Sequence, residues 1–318
     1  MENNTTVKTI RIGTRGSKLA LWQANAVADR LQAAGFDTEI VIISTKGDQI
    51  LDKSLDKLGS KGVFTEELEV GLREGSIEIA VHSAKDVQSS IPDDLELVAF
   101  MEREKVNDVV LSFDPDFKLE RDSKVVIGTS STRRKALLRK YYPNVTTVEA
   151  RGNLQTRLQK LKEGHCDVLM LAYAGVFRMG YDDMIVHTFP ENEFVPAAGQ
   201  GSVAVECAKD LEPELKQQLK QAIDHEQTHV CLVAERAFLR TMEGGCSIPS
   251  FALATLKGDG KISIQGGIVS LDGQKHLYEI FEGSQEEAET LGVQLAETIL
   301  SQGGVEILKS IREGRENS

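Results

Sequence analysis

Three short stretches concentrate the residue types able to do covalent or acid–base chemistry. RTMEGGCSIPSFALA, residues 240–254, sets Cys246 directly after Gly244 and Gly245 and three residues before Pro249. Glycine tolerates φ values that a Cβ forbids, so the pair lets a thiol project without neighbouring side chains shielding it. A thiolate so placed is a good nucleophile or covalent anchor when nearby cations lower its pKa. The plain alternative is a helix C-cap with an incidental cysteine, which composition does not reject. AVHSAKDVQSS, residues 80–90, puts His82, Ser83, Lys85 and Asp86 where an apolar strand gives way to a loop. Open α/β sheets bind ligands at that end of their strands, although a surface Lys–Asp pair and a structural histidine read equally well from spacing alone. GTSSTRRKALLRKYYPNVTTVEARGNLQTRLQK, residues 128–160, gathers Arg133, Arg134, Lys135, Arg139, Lys140, Arg151, Arg157 and Lys160 around a single acid, Glu149. In a chain of net charge −12 such a cluster suits a small anionic ligand, whereas nucleic-acid binders carry a broad basic face.

The remaining cysteines, Cys166, Cys207 and Cys231, lie in or beside apolar runs, where free cysteine behaves as a small hydrophobe. No pair has zinc-ligand or redox CxxC spacing, so neither a metal site nor a disulfide is expected, and a reducing compartment is. A Cys–His hydrolase finds little support. GxSxG is absent, and His225 and His229 open a helix whose far end carries Cys246, roughly 25–30 Å away at ~1.5 Å rise per residue. No stretch approaches the ~20 apolar residues of a membrane span, and MENNTTVKTIRIG lacks the layout of a signal peptide, so a cytoplasmic protein without membrane or nucleic-acid partners is expected.

At 318 residues the chain can form two or three domains, each with its own core. Short β-branched runs alternate with segments of helical period: VKTIRIG, SKLALWQANAVADRLQAAG, DTEIVIIS, then FTEELEVGLREG, IEIAVHS and LELVAFM. This is the pattern of βαβ units and a mostly parallel sheet. After residue 105 the pattern restarts with KVVIG, and GTSSTRRKALL echoes GTRGSKLAL, each setting Gly-Thr at a strand end and a hydroxyl before a helix. A true repeat would give two similar lobes whose helix N-termini, with unpaired N–H groups, face one cleft and favour carboxylates or phosphates. SVAVEC, 202–207, reads as a strand returning to the first lobe. From about residue 226 a helix, three strand-like runs and further helices predict an α+β domain with an open-faced sheet. The expected division is lobe 1 over 1–103 and 200–222, lobe 2 over 104–199, and a C-terminal domain over 223–318. GDQILDKSLDKLGSKGVF, 47–64, has neither period and suits either a solvated connection or a lid.

GTRGSKLAL, KGVFTEELE, AVHSAKDV, GTSSTRRKALL, EARGNLQTRL, VPAAGQG and AERAFLRTMEGGC, in this order along nearly the whole chain, resemble the porphobilinogen deaminase (hydroxymethylbilane synthase) family. The resemblance implies two lobes like those of periplasmic binding proteins plus the C-terminal domain, acting as a monomer. It implies a transferase of tetrapyrrole biosynthesis that joins four porphobilinogen molecules head to tail and releases hydroxymethylbilane by hydrolysis. It makes Cys246 the thioether attachment point of a dipyrromethane cofactor. The product carries eight carboxylates, and arginine's planar fork suits them. By motif, Arg15, Arg133, Arg134, Arg151, Arg157 and Arg178 are implied as clamps, with Ser17, Ser83, Lys85, Thr129, Ser130, Ser131, Gly152 and Gln200 around cofactor and substrate, and Lys57, Lys61 and Phe64 on the lid. Asp86 matches the catalytic carboxylate: loss of ammonia from porphobilinogen leaves an electrophilic azafulvene, and a carboxylate near the pyrrole N–H groups stabilises the developing positive charge.

Four positions, in three motifs, depart from the family pattern. Gln88 stands where proline commonly follows HS-x-KDV, Ser247-Ile248 replaces the usual Gln-Val after EGGC, and Phe177 occupies a position that is often basic. A non-catalytic binding protein for small anions is the rival reading of such a two-lobed chain.

Overall fold

The computed structural model describes residues 9–45, 47, 65–244 and 248–316. The β-branched run TIRIGT forms β1 (Thr9–Thr14), and Ser17 then caps helix α1 (Lys18–Ala33), its Oγ accepting from Ala20 N at 3.3 Å. Helical spacing turns Ala24, Val27, Ala28 and Leu31 onto the sheet. β2 (Asp37–Ile42) pairs parallel to β1, and α2 (Glu66–Arg73) leads into β3 (Ile79–Ser83), parallel to β1 on its other side. After β4 (Leu95–Phe100) the strand read from SVAVEC, β10 (Val203–Ala208), enters antiparallel between β3 and β4, giving the order β2-β1-β3-β10-β4.

The second sheet repeats this plan. β5 (Asp108–Leu111), β6 (Val126–Gly128), α3 (Thr132–Tyr141), β7 (Thr146–Val148), α4 (Leu154–Lys162), β8 (Val168–Ala172), α5 (Tyr173–Arg178) and β9 (Ile185–Thr188) follow in sequence. Their sheet order is β7-β6-β8-β5-β9, with β5 antiparallel to both neighbours as β10 is in the first sheet. The Gly-Thr echo falls on equivalent places: Gly13 near the end of β1 and Gly128 at the end of β6. A Cβ on Gly13 would lie 2.3 Å from Ile77 Cδ1, and one on Gly128 would lie 2.7 Å from Cys166 Sγ, so close packing demands glycine at both. At the opposite end, Arg11 N donates to Glu78 Oε2 and Val126 N to Asp167 Oδ2, each at 2.7 Å.

Helices α6 (Pro213–Ile223) and α7 (Glu226–Thr241) lead to an antiparallel sheet of β11 (Ser250–Gly258), β12 (Lys261–Val269) and β13 (His276–Ser284), followed by α8 (Ala288–Ile299) and α9 (Val305–Glu316). One face packs Ile262 and Ile264 against Phe238 of α7 and Leu295 of α8. The other face is partly covered: Phe251, Leu253 and Val269 join Phe189, Phe194 and Val195 in one core. The described residues accordingly form two compact units, 9–45, 47, 65–103 and 202–229 in the first, and 104–201, 230–244 and 248–316 in the second. Glu235 of α7, fully buried, reinforces this union by accepting from Gly199 N and Ala254 N, both at 2.8 Å.

In the second unit His276 lies between the rings of Phe251, 5.5 Å away, and Tyr278, 6.1 Å away. Burial, assisted by Lys140, lowers its pKa from 6.5 to about 4. The fold thus holds a neutral imidazole, whereas the unfolded chain takes up a proton below its ordinary pKa. The associated stability is present above about pH 6.5 and is lost as pH falls towards about 4. His276→Phe keeps the ring without the proton; its melting temperature is expected to fall less than wild type's between pH 6.5 and 4, and parallel melting curves would refute the assignment.

Candidate active site

In the first unit the matched residues collect at the carboxyl ends of parallel β1 and β3. Arg15 and Ser17 occupy the turn from β1 into α1, both half-buried, and Ser83 ends β3. Gln23 of α1 donates to Ser83 Oγ at 2.9 Å, fixing the helix to the strand end. A 3-10 turn, Ala84–Asp86, then lifts Lys85 and Asp86 from the sheet; Asp86 is exposed and Lys85 half-buried. His82 faces the interior instead, its Nε2 3.0 Å from Glu206 Oε2, in keeping with a structural histidine.

In the second unit part of the basic cluster follows the ends of β6 and β7, whereas Arg139 and Lys140, expected to belong to it, lie in the last turn of α3, where Arg139 donates to Leu271 O. Thr129, Ser130 and Ser131 follow β6; Thr129 N donates to Val148 O, and Ser131 caps α3 by accepting from Arg134 N at 3.4 Å. Arg151 follows β7, its Nε 2.9 Å from Glu149 Oε2, while Lys135 pairs with Glu149 Oε1. Burial favours the neutral Glu149 carboxyl, yet Lys135, through its hydrogen bond and charge, and the charge of Arg151 hold its pKa below the ordinary value. Gly152 has φ +105°, a left-handed conformation suited to glycine, and its carbonyl accepts from Arg157 Nε at 2.8 Å. Arg178 ends α5 and donates to Gly201 O at 2.7 Å; burial lowers its pKa, with Glu104 opposing.

Arg133 and Arg134 lie deeper than their neighbours. Both are buried, and both reach Asp108, which opens β5 and is fully enclosed. Arg133 Nη2 is 2.7 Å from Asp108 Oδ2, and Arg134 Nη2 is 2.7 Å from Oδ1. Arg133 also donates to Val195 O and Arg134 to Met170 O, and Gln200 donates to Val106 O and Asp108 Oδ1. Burial alone would raise the Asp108 pKa; the two guanidiniums and the Arg134 and Gln200 hydrogen bonds override it and lower it to about 2. Two cations and one anion leave this assembly with a net positive charge.

Asp108 and Glu235 were not among the sequence-expected site residues. The only signal for either is an acid inside an otherwise apolar stretch, NDVVL or CLVAERAF. Lys57, Lys61, Phe64 and Cys246 lie outside the described residues. Of the glycine pair before Cys246, Gly245 lies outside the described residues. Among the described residues of that turn the left-handed one is Glu243, at φ +47°, and not Gly244, where a Cβ would meet Leu239 Cδ1 at 2.6 Å. The expected inert thiols, Cys166, Cys207 and Cys231, are all buried, and burial pushes the Cys207 thiol up to about 12.

Fold and site together describe an α/β protein with serine, threonine and basic side chains after its strand ends. Residues 10–216 match the family described as porphobilinogen deaminase, dipyromethane cofactor binding domain, and residues 229–301 match the porphobilinogen deaminase C-terminal domain. The chain belongs to the porphobilinogen deaminase family. It is 53% identical to the porphobilinogen deaminase of Cytophaga hutchinsonii, over 98% of this chain and 99% of that protein. It is 50% identical to that of Desulfosudis oleivorans, over 96% and 98%. Among solved structures, the periplasmic VFT2 domain of Bordetella pertussis BvgS is 17% identical with a TM-score of 0.42, over 67% of this chain and 86% of that one.

The Asp108 assembly yields a stability prediction. Asp108→Asn keeps the shape but leaves two buried guanidiniums without their counter-charge, a change that costs about 3–5 kcal/mol at buried pairs. Denaturant unfolding is expected to show a loss of that order; a loss below about 1 kcal/mol would show that the charge of Asp108 is not what holds the arginines.

Proposed function

We propose that the chain joins four porphobilinogen molecules head to tail on a dipyrromethane cofactor held by Cys246 through a thioether, then releases hydroxymethylbilane by hydrolysis. The observation that carries this reading is the arginine content of the second unit: in an acidic protein, Arg151 follows β7, Arg157 lies in α4 and Arg178 ends α5, and the buried assembly of Arg133 and Arg134 with Asp108 is itself net positive. A dipyrromethane carries an acetate and a propionate on each of its two pyrroles, so its chemistry fits this donor set. When bound, it supplies the terminal pyrrole carbon to which the first substrate is joined.

Each residue then has a distinct task. Arg151, Arg157 and Arg178 bind carboxylates, with Thr129, Ser130 and Ser131 adding donors beside the capped start of α3. Arg133 and Arg134, committed to Asp108 and to carbonyls, act as a fixed positive floor that does not reorganise when anions arrive. Gly152 shapes the turn carrying Arg151, and Gln200 holds Asp108 in place. In the first unit Arg15, Ser17, Ser83 and Lys85 hold acidic side groups near Asp86. Asp86, exposed at its strand end, accepts from pyrrole N–H groups and stabilises positive charge there as ammonia leaves and the new bond forms. Lys57, Lys61 and Phe64 belong to the segment assigned to covering the reacting groups, and Cys246 is assigned by its EGGC motif. The reading divides the chain into lobe 1 (1–103 and 200–222), lobe 2 (104–199) and a cofactor-attachment domain (223–318). It places a monomer in the cytoplasm, in keeping with cysteines that are sparse and, at 166, 207 and 231, buried.

Asp86→Asn keeps size and removes charge. Product formation from porphobilinogen is expected to be almost abolished while the melting temperature stays at the wild-type value, because the residue is exposed. Turnover at the wild-type rate would remove Asp86 from the mechanism.

A further inference from the structure

The turn that carries Asp86 is tied down by a residue outside the expected site. Gln88, two positions after Asp86, donates from Nε2 to Thr65 Oγ1 at 3.2 Å and to Glu69 Oε1 at 3.0 Å. Both partners are buried in the first turns of α2, where Thr65 Oγ1 also donates to Glu69 Oε1 at 2.7 Å. Glu69 in turn faces Arg73 at 3.6 Å, and Arg73 is anchored to Asp94 at 2.6 Å. One side-chain amide therefore connects the segment after β3 to a helix held on both sides. Between Asp86 and Gln88 stands only Val87, which is itself buried.

We propose that Gln88 is a positioning residue for Asp86, a hydrogen-bonded tether doing here what a proline ring does where the family pattern has HS-x-KDVP. Val87 has φ −71° and ψ 137°, the extended conformation that a following proline imposes on its predecessor. The backbone thus already has the shape a proline would enforce, while the restraint comes from the amide. The tether acts on geometry: it limits how far the 3-10 turn and its carboxylate swing from the strand end, without touching substrate. The inference rests on the assignment of Asp86.

The test uses the full-length, cofactor-carrying protein and three variants. Gln88→Leu removes both donors; it is expected to lower kcat about tenfold with KM within about twofold, the scale on which small misplacements of a catalytic group act. Amide hydrogen exchange at Lys85, Asp86 and Val87 is expected to quicken about tenfold in the same variant, a readout independent of turnover. Gln88→Pro, which restores restraint without the hydrogen bonds, is expected to return both quantities to within about threefold of wild type. In an Asp86→Asn background, Gln88→Leu is expected to have no further effect on turnover, because it acts through the missing carboxylate. An unchanged kcat and exchange rate in Gln88→Leu, a loss that proline does not rescue, or a loss that adds fully to that of Asp86→Asn each overturns the proposal. Wild-type turnover in Asp86→Asn alone instead overturns the Asp86 assignment. Should Gln88→Leu fail to fold, Thr65→Val removes one acceptor and is measured in the same way, with a two- to threefold loss expected and an unchanged rate contradicting the tether.

Discussion

A carboxylate enclosed between two guanidiniums sets the terms for the second unit. Asp108 begins β5, Arg133 and Arg134 begin α3, and Gln200 comes from the segment leading to β10, so the charged contact fastens three stretches distant in sequence. Desolvated ions need their partners at close range, and this requirement fixes where α3 starts relative to the sheet. The start of α3 in turn fixes Thr129, Ser130 and Ser131 at the end of β6. Two arginines and one aspartate leave a net positive charge inside the unit, so the proposed anion-binding surface and the internal bracing draw on the same residues.

The two five-stranded sheets use the same plan for different ends. Both have three parallel strands followed by an antiparallel one, and both need glycine where the first parallel strand passes under its neighbours. At the equivalent helix starts, however, the first unit has Leu19 and Ala20 where the second has Arg133 and Arg134. The first unit keeps its charge for the turn after β3, where Lys85 and Asp86 are accessible. The division suits the proposed reaction, in which a growing polyanion needs a firm cationic surface and the carboxylate proposed as catalytic must remain able to reach a reacting pyrrole.

Much of this was legible in the sequence. Alternating strand and helix periods placed the βαβ units, the Gly-Thr echo marked equivalent strand ends, and SVAVEC was readable as a strand returning to the first sheet. Individual pairings were not legible. Nothing in RRKALL distinguishes an arginine that meets a ligand from one that meets Asp108, since the distinction depends on a strand about 26 residues upstream that periodicity places only approximately. That Phe251, Leu253 and Val269 of the C-terminal sheet extend a core begun by Phe189 and Phe194 was not legible, because amphipathic patterning does not encode such a contact. Gln88 was visible only as a departure from a family motif, and its partners on α2 gave that departure a physical content.

The central claim is that Cys246 carries a dipyrromethane, and intact mass under denaturing conditions tests it most directly. Wild-type protein, incubated with porphobilinogen if first isolated without the group, is expected to exceed its sequence mass by two linked pyrrole units, while Cys246→Ser matches its own sequence mass. No adduct on wild type after that incubation, or an equal adduct on Cys246→Ser, would contradict the account.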